Sequence, residues 1–344
     1  MGISLAKNQD WIITQNEAAA DGATAPVWLQ DTMPASDDRH EAVLFIKPEL
    51  TELGSGKIPA FLKMVDAACS RFDVEIMNVG VLGYSYMKEH NIAGDHYGVI
   101  NKISREGFSA LAPDAQAKLR ELFPAASEDN IIGAHQFLAR FPDWTAEKLG
   151  EYVDNNPSSM KKLAPGTYAQ PIQQDSTDYV LLSGFHPQQL LHFENPGRTI
   201  IVCPVRSRTS WKNLRDEMVG ATDPTTAPAG ALRADLLANK DSLGIPTVSK
   251  GLNGIHLSAG PLEGMVELVR FASDRTAGNS IDYADTNFGK AYLASGASAD
   301  ELLGLAQNPM VDAGGKTQSA FDATELMDMS EAVSTLKTAP RKAA

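Results

Sequence analysis

Stretches with the composition of β-strands are few in this chain and lie far apart, which limits what the chain can fold into. They are EAVLFIKPEL (41–50), VEIMNVGVLGYSYM (74–87), YVLLSGF (179–185) and RTIIVCPV (198–205). Between the first two, residues 58–72 carry apolar side chains at helical spacing. The strands are too few and too far apart for a long doubly wound sheet. We predict an α/β (α+β) fold in which helices cover a small sheet.

The remaining segments predict additions to that central domain. From about 106 to 178, proline residues interrupt short helical patterns such as DAQAKLRELF and TAEKLGEYV, which indicates a helical insertion. Residues 1–40 are polar with little periodicity, and we expect an N-terminal extension that forms an irregular lead-in. Two amphipathic patterns in residues 275–344 predict a C-terminal helical extension. The central domain would then span residues 41–274.

Charge and cysteine content restrict the partners. The 344 residues carry a formal net charge of -13, so the chain is a poor candidate for nucleic-acid binding, which needs clustered Lys and Arg. An anionic substrate would have to find local positive charge. Cys69 and Cys203 lack metal-binding spacing and fit a reducing compartment. Because no apolar leader or long apolar run is present, we expect a cytoplasmic protein that does not enter a membrane.

One histidine, His256, lies between a glycine-rich approach and a predicted helix, in the stretch KGLNGIHLSAGPLEGMVELVRFA (250–272). The chain has no G-x-G-x-x-G, no G-x-x-x-x-G-K-[ST] and no G-x-S-x-G motif, so the familiar phosphate loops and the serine elbow are missing. A lone histidine is most often structural. The alternative is a nucleophile or general base held at the entrance of a helix.

Polar groups around His256 favour the chemical alternative. Thr222 and Arg233 lie in a proline- and glycine-rich loop, and both side chains suit phosphate oxygens. Glu267, in the following helix, could orient the imidazole through Ser258 or beside it. Ser258 could equally be the N-cap of that helix.

Four segments resemble nucleoside diphosphate kinases. The block MVGATDPTTAPAGALRADL is similar to the family's G-x-T-[ND]-P…L-R region, and NGIHLSAGPLEGMVELVRFA resembles its N-x-x-H-G-S-D segment and the following helix. LFIKPEL resembles the end of the first strand, and EHNIAGDHYGVI resembles the E-H-Y segment. The resemblance covers about 41–100 and 180–272. It implies a ferredoxin-like sandwich with a four-stranded antiparallel sheet.

The resemblance also implies a reaction. A nucleoside triphosphate, with ATP as the phosphoryl donor, would phosphorylate a histidine, and a nucleoside diphosphate would take the group in a ping-pong cycle. Mg²⁺ would bridge phosphate oxygens and need few protein ligands. Nucleoside di- and triphosphates are then the small-molecule partners, and we expect a homo-oligomer.

Site residues follow from the resemblance position by position. His256 would be the nucleophile, with Glu267 and Ser258 orienting it and Tyr97 beside it. The phosphates and sugar would contact Lys47, Thr222, Arg233 and Asn253. Leu191 and Phe185 would form an apolar pad against the base.

The chain departs from the family's pattern at three other positions. Leu257 replaces the glycine after the histidine, and Ala259 replaces the acidic residue after the serine. Asp216 stands where the family has an arginine, and the neighbouring Arg215 is a candidate substitute. Additional residues also lie between Asp235 and Asn253. These departures support an alternative: a catalytically weakened kinase-like module that binds nucleotide or acts as a protein-interaction scaffold.

Overall fold

A computed structural model describes residues 2–33, 37–54, 56–164, 166–278 and 280–340. The chain forms two compact units. The first unit contains Met1–Tyr86 and Pro196–Ala344, and the second contains Met87–Asn195. Both units mix helices with sheets that are largely antiparallel. In the described residues, no helix is both long enough and apolar enough to span a membrane.

The described residues contain twelve strands and eighteen α-helices. The strands are β1 (Val27–Trp28), β2 (His40–Ile46), β3 (Val74–Ile76), β4 (Gly80–Gly83), β5 (Ile131–Gly133), β6 (Lys161–Ala164), β7 (Thr167–Gln174), β8 (Thr177–Leu182), β9 (Thr199–Ser207), β10 (Ile255–Leu257), β11 (Met310–Ala313) and β12 (Lys316–Ser319). The helices are α1 (Gln9–Ala20), α2 (Pro48–Thr51), α3 (Ile58–Arg71), α4 (Tyr84–Glu89), α5 (Ile92–His96), α6 (Gly98–Glu106), α7 (Pro113–Leu122), α8 (Ala134–Arg140), α9 (Ala146–Asn155), α10 (His186–Glu194), α11 (Trp211–Asn213), α12 (Leu232–Ala238), α13 (Lys240–Leu243), α14 (Pro261–Ala272), α15 (Asn287–Ala294), α16 (Ala299–Ala306), α17 (Ala320–Thr324) and α18 (Met329–Thr338).

The first unit is built on an antiparallel sheet of six strands in the order β1-β4-β9-β2-β10, with β3 also paired to β9. The sheet has two strands more than the four that the resemblance implied. The apolar stretch 74–87 does not form one strand, because it divides into β3, β4 and the start of α4. The short strand β1 lies in a segment that carries no strand pattern.

Alternation along the central strands sends neighbouring side chains to opposite faces of this sheet. Leu44 and Ile46 of β2 point into the main core, which α3 covers. Phe45, between them, points to the other face, where its ring lies 5.1 Å from the ring of Phe271 in α14. The helical period predicted for α3 and α14 is confirmed, because each helix buries one apolar side.

The N-terminal segment is part of this core, so the predicted irregular lead-in was wrong. Helix α1 contacts β4 and β9. Its Asn16 is buried, donates from Nδ2 to the Thr51 carbonyl oxygen at 2.9 Å and accepts from the Thr199 hydroxyl. The pattern was missed because α1 buries few large apolar side chains.

The second unit has its own four-stranded sheet in the order β5-β8-β7-β6. The helices predicted at DAQAKLRELF and TAEKLGEYV are confirmed as α7 and α9, but the insertion predicted at 106–178 is not helical throughout. Its strands β6 and β7 are rich in Lys, Gln and Thr, which hides the strand pattern. Compact packing also extends further, from residue 87 to 195, so β8 and α10 belong to this unit and not to the first sheet.

Two apolar clusters lie on the two faces of the second unit's sheet. Ala169, Val180 and Leu182 join the helices α6 and α7 in one cluster, while Leu181 and Tyr179 join α8 and α9 in the other. Alternation along β8 explains why adjacent residues enter different clusters.

The C-terminal segment folds onto the outer side of α14. The predicted helices of this segment are confirmed as α16 and α18, whereas the hairpin β11–β12 was not predicted. One cluster joins Leu262, Met265 and Val266 of α14 to side chains of the C-terminal segment such as Leu305 and Leu336. Helix α14 is therefore packed between the sheet and this segment.

Candidate active site

His256 occupies the middle of β10, opposite Phe45 of β2. Ile255 and Leu257 on either side are buried in the main core, so His256 points to the face that α14 covers. Its imidazole stacks on the Phe45 ring with centroids 4.5 Å apart and an angle of 20° between the planes. The side chain keeps 16% of its surface exposed, which leaves an approach for a small molecule.

A buried carboxylate orients the imidazole. Oε2 of Glu267, a residue fully enclosed in α14, lies 2.8 Å from Nε2 of His256. A carboxylate oxygen accepts, so Nε2 carries the proton in this arrangement. The lone pair that could attack an electrophile is then the one on Nδ1.

Ser258 completes this group. Its hydroxyl donates to Oε2 of Glu267 at 2.6 Å, and the backbone N–H of Val43 donates to the same hydroxyl at 2.9 Å. The N-cap of α14 is Gly260. The N-cap alternative for Ser258 is therefore wrong, and its role in orienting His256 through Glu267 stays a prediction.

Lys47 and Asn253 connect the end of β2 to the loop before β10. The Lys47 ammonium donates to Oδ1 of Asn253 at 2.7 Å. Nδ2 of the buried Asn253 donates to the carbonyl oxygens of Thr222 and Lys250. Thr222 is thus tied in through its backbone, while its side chain is exposed.

Arg233 lies under the strand that carries the histidine. Its side chain is 5% exposed and donates from Nη1 to the Gly220 carbonyl at 2.9 Å and from Nη2 to the Ile255 carbonyl at 2.8 Å. Its Nε has no hydrogen-bond partner among the described residues. A buried guanidinium with an unused N–H retains capacity for an anion.

Arg215 reaches the other side of His256 because its helix ends in a π-helical turn, Leu214–Val219. The N–H of Gly220 bonds to the carbonyl of Arg215, so the wide turn brings Arg215, and not Asp216, to the inner side. Arg215 donates to the Leu257 carbonyl. Asp216 instead forms an ion pair with the exposed Lys212.

Nearby positive charge adds to the effect of burial at Lys47 and at Arg233. Burial lowers the pKa of Lys47 to about 8, with Glu49 opposing the shift and Arg233 adding to it. Burial also lowers the pKa of Arg233 to about 10, and Arg215 contributes. Among the described residues, none of the three forms a salt bridge with a carboxylate. A multiply charged anion would relieve this repulsion.

Two contributors to the site were not predicted. Phe45 lies against the imidazole because β2 and β10 pair in a register that places it opposite His256. The sequence does not reveal that register. Glu263 accepts a hydrogen bond from the Ala259 N–H at 2.7 Å, and burial together with nearby Glu267 raises the pKa of its carboxyl. Its i, i+4 spacing from Glu267 on one helical face was a signal that could have been used.

Three of the predicted site residues, Tyr97, Phe185 and Leu191, belong to the second unit. Tyr97 lies between α5 and α6, with its ring 6.0 Å from those of His186 and Phe193. Phe185 precedes α10 and has its ring 5.6 Å from that of Tyr168. Leu191 is half-buried in α10. Their proposed roles at the nucleophile and the base stay predictions.

Comparison with known proteins adds no assignment, because no family model, curated protein or solved structure matches this chain. The functional argument therefore depends on the geometry around His256.

Proposed function

We propose that the first unit carries a phosphotransferase site in which His256 receives the terminal phosphoryl group of a nucleoside triphosphate and passes it to a nucleoside diphosphate. The observation that supports this most directly is the 2.8 Å contact between Nε2 of His256 and the buried Glu267, beside a cluster of three cations. An oriented imidazole supplies the nucleophile, and the cations supply a place for phosphates.

In the first half-reaction, Nδ1 of His256 attacks the γ-phosphorus of the triphosphate. A P–N bond forms, the bond from phosphorus to the β–γ bridging oxygen breaks, and the diphosphate leaves with the electron pair. Positive charge that develops on the imidazole is stabilised through Nε2–H by Glu267. In the second half-reaction, a terminal phosphate oxygen of an incoming diphosphate attacks the same phosphorus, and the P–N bond breaks.

Mg²⁺ fits this site as a partner of the nucleotide and less well as a protein ligand. The two carboxylates of α14 near His256 already accept hydrogen bonds, Glu267 from His256 and Ser258, and Glu263 from Ala259. The ion would be held by phosphate oxygens, where it supplies neutralisation of the transferred charge. Lys47, Arg215 and Arg233 then bind the remaining phosphate oxygens.

The arrangement of elements supports the ferredoxin-like part of the proposal. The main elements of the first unit occur along the chain in the β-α-β-β-α-β order of that fold, with other elements inserted between them: β2, α3, β4, β9, α12 and β10. The neighbouring strands β4, β9, β2 and β10 form the proposed four-stranded centre, and β1 and β3 are additions to it.

One observation favours the alternative, a weakened module that binds nucleotide or a protein without efficient turnover. Arg233 and Arg215 already donate to backbone carbonyls on both sides of His256. If those bonds persist when nucleotide is present, the guanidinium groups position the strand and do not move to the transferred phosphoryl group.

Labelling separates the two functions. The protein is incubated with ATP carrying a labelled γ-phosphate and Mg²⁺, and we expect a label on the chain that is stable in base and labile in acid. Addition of unlabelled GDP should transfer that label to GTP. His256→Ala should abolish labelling, whereas His192→Ala, a change in the second unit, should retain it. Nucleotide binding without any label on the wild-type protein would support the weakened module instead.

Two further parts of the proposal have separate tests. The apolar pad of Phe185 and Leu191 is tested by the affinity for different bases in Leu191→Ala. The proposed homo-oligomer is tested by the mass of the protein in solution.

A further inference from the structure

A three-residue turn fixes the relation between His256 and its carboxylate. Ser258, Ala259 and Gly260 connect the end of β10 to the start of α14, which carries Glu267. Ser258 also donates directly to Glu267. A displacement of this turn therefore changes the position of the imidazole and the carboxylate together.

The C-terminal segment holds this turn by its backbone. The N–H of Leu326 donates to the Ala259 carbonyl at 3.0 Å, and on the other side the Ala259 N–H is bonded to Glu263. Gly260 is so close that a Cβ added there would lie 2.5 Å from the carbonyl oxygen of Thr324. Both backbone polar groups of Ala259 are thus occupied, and the chain packs backbone to backbone at Gly260.

The same segment holds a second element of the site. Oδ1 of Asp328 accepts a hydrogen bond from the Trp211 N–H at 3.0 Å. Trp211 begins α11, the helix that continues into the π-helical turn with Arg215. A stretch of five residues, Thr324–Asp328, therefore contacts both the turn beside His256 and the helix that supplies Arg215.

The backbone of this stretch is held in an unusual conformation. Leu326 has a φ of 61°, in the left-handed region that leucine rarely adopts. Such a conformation persists where its surroundings enforce it. Here the fully buried Thr324 donates to the Ala320 carbonyl at 2.9 Å, and the cluster between α14 and the C-terminal segment lies next to it.

We infer that Thr324–Asp328 form a positioning clamp, which holds the His256–Glu267 pair and the Arg215 helix in the geometry needed for phosphoryl transfer. The effect on turnover rests on the proposed function, whereas the effect on the imidazole does not. The clamp residues do not touch the reacting atoms and act through the turn and the helix.

Gly260→Ala tests the clamp at its tightest contact. The backbone of Gly260 is extended, with φ of -167°, so alanine adds no backbone strain and only places a methyl group against the Thr324 carbonyl. We expect kcat to fall at least about tenfold with little change in the KM for ATP, because misplacement of the nucleophile affects the transfer step. The ¹⁵N signals of the His256 ring should also lose the single Nε2–H tautomer.

Gly54→Ala is the matched control, since no atom lies within 4 Å of a Cβ built at Gly54 and its backbone is not left-handed. It should leave kcat and the His256 signals unchanged.

A second pair of variants addresses the other contact, between Asp328 and Trp211. Asp328→Ala removes the acceptor for Trp211 and should lower kcat, while Asp328→Asn retains an oxygen acceptor and should restore it.

Each outcome decides the clamp. A folded Gly260→Ala protein with wild-type kcat and wild-type tautomer would overturn it, as would lost activity with an unchanged tautomer. If Gly260→Ala fails to fold, the Asp328 pair decides, and equal activity of both variants overturns the clamp. If the wild-type protein transfers no phosphoryl group, the proposed function fails. The tautomer measurement on Gly260→Ala then decides the clamp alone.

Discussion

Burying Glu267 is costly, and this cost explains why its partners are placed so closely. A carboxylate with no exposed surface loses its hydration, which costs several kcal/mol unless hydrogen bonds replace it. His256 and Ser258 both donate to its Oε2. An ordinary surface histidine needs no such partner. The sequence indicated this pairing, because a nucleophilic histidine needs a group that orients its ring and Glu267 lies in the next helix.

Lys47 should make nucleotide binding depend on pH. Its pKa of about 8 means that the free protein loses this charge as the pH rises past about 8, and bound phosphates would raise the pKa again. We expect ATP affinity to fall between pH 8 and 10, with proton uptake on binding. Calorimetry in two buffers of different ionisation enthalpy measures both. Lys47→Arg, which stays charged, should remove the pH dependence, and an unchanged decline in that variant would contradict the assignment.

The same shift affects folding with the opposite sign. The unfolded lysine, with its ordinary pKa of 10.5, still binds the proton that the folded protein has lost between about pH 8 and 10.5. The contribution of Lys47 to the free energy of unfolding therefore rises with pH across that window. Loss of ATP binding above pH 8 should accordingly occur without loss of folded protein.

At the scale of elements, the π-helical turn decides which side chain enters the site. An α-helical ending would present the residue four positions before Gly220, which is Asp216, whereas the wider turn presents Arg215. The sequence showed the conflict between the two residues. It could not resolve the conflict, because nothing in LRDEMV marks a π-turn.

Substitution of the two neighbours tests the turn. Arg215→Ala should reduce kcat/KM about tenfold or more, since a charge-assisted hydrogen bond contributes about 1.5–3 kcal/mol. Asp216→Ala should change it less than about twofold, because an exposed ion pair with Lys212 contributes little. Steady-state kinetics with both variants and a melting curve for each provide the comparison. Similar losses in the two variants would mean that Arg215 has no special position.

The elements that could be predicted are those whose burial follows a strong period. Helices α3 and α14 have such patterns, while strands β2 and β9 are recognisable as continuous apolar runs, and each is present. Strand β7 was missed because Gln170, Gln173 and Gln174 break the alternation of apolar and polar residues that is typical of a strand. The stacking of Phe45 on His256 depends on pairing between strands far apart in sequence, which no local pattern contains.

At the scale of the whole molecule, each of the two units has its own sheet and its own clusters of buried apolar residues. The second unit has two clusters of its own, one on each face of its sheet. Its limits, 87–195, do not coincide with the proline-interrupted stretch 106–178. The difference has a physical cause, because β8 (Thr177–Leu182) is the strand that joins β5 to β7, and most of it lies beyond residue 178.

Residues 87–195 should therefore fold as an isolated fragment, whereas residues 106–178 should not. The longer fragment retains all four strands and both clusters, while the shorter one loses most of β8, which leaves β5 and β7 without their shared neighbour. Trp144 packs edge-on against Phe137 with ring centroids 5.5 Å apart, so its fluorescence reports on one cluster. We expect a cooperative urea transition by fluorescence and circular dichroism for 87–195, with a free energy of unfolding of about 5 kcal/mol. The fragment 106–178 should show no transition. A non-cooperative 87–195 would mean that this unit depends on the rest of the chain for its fold.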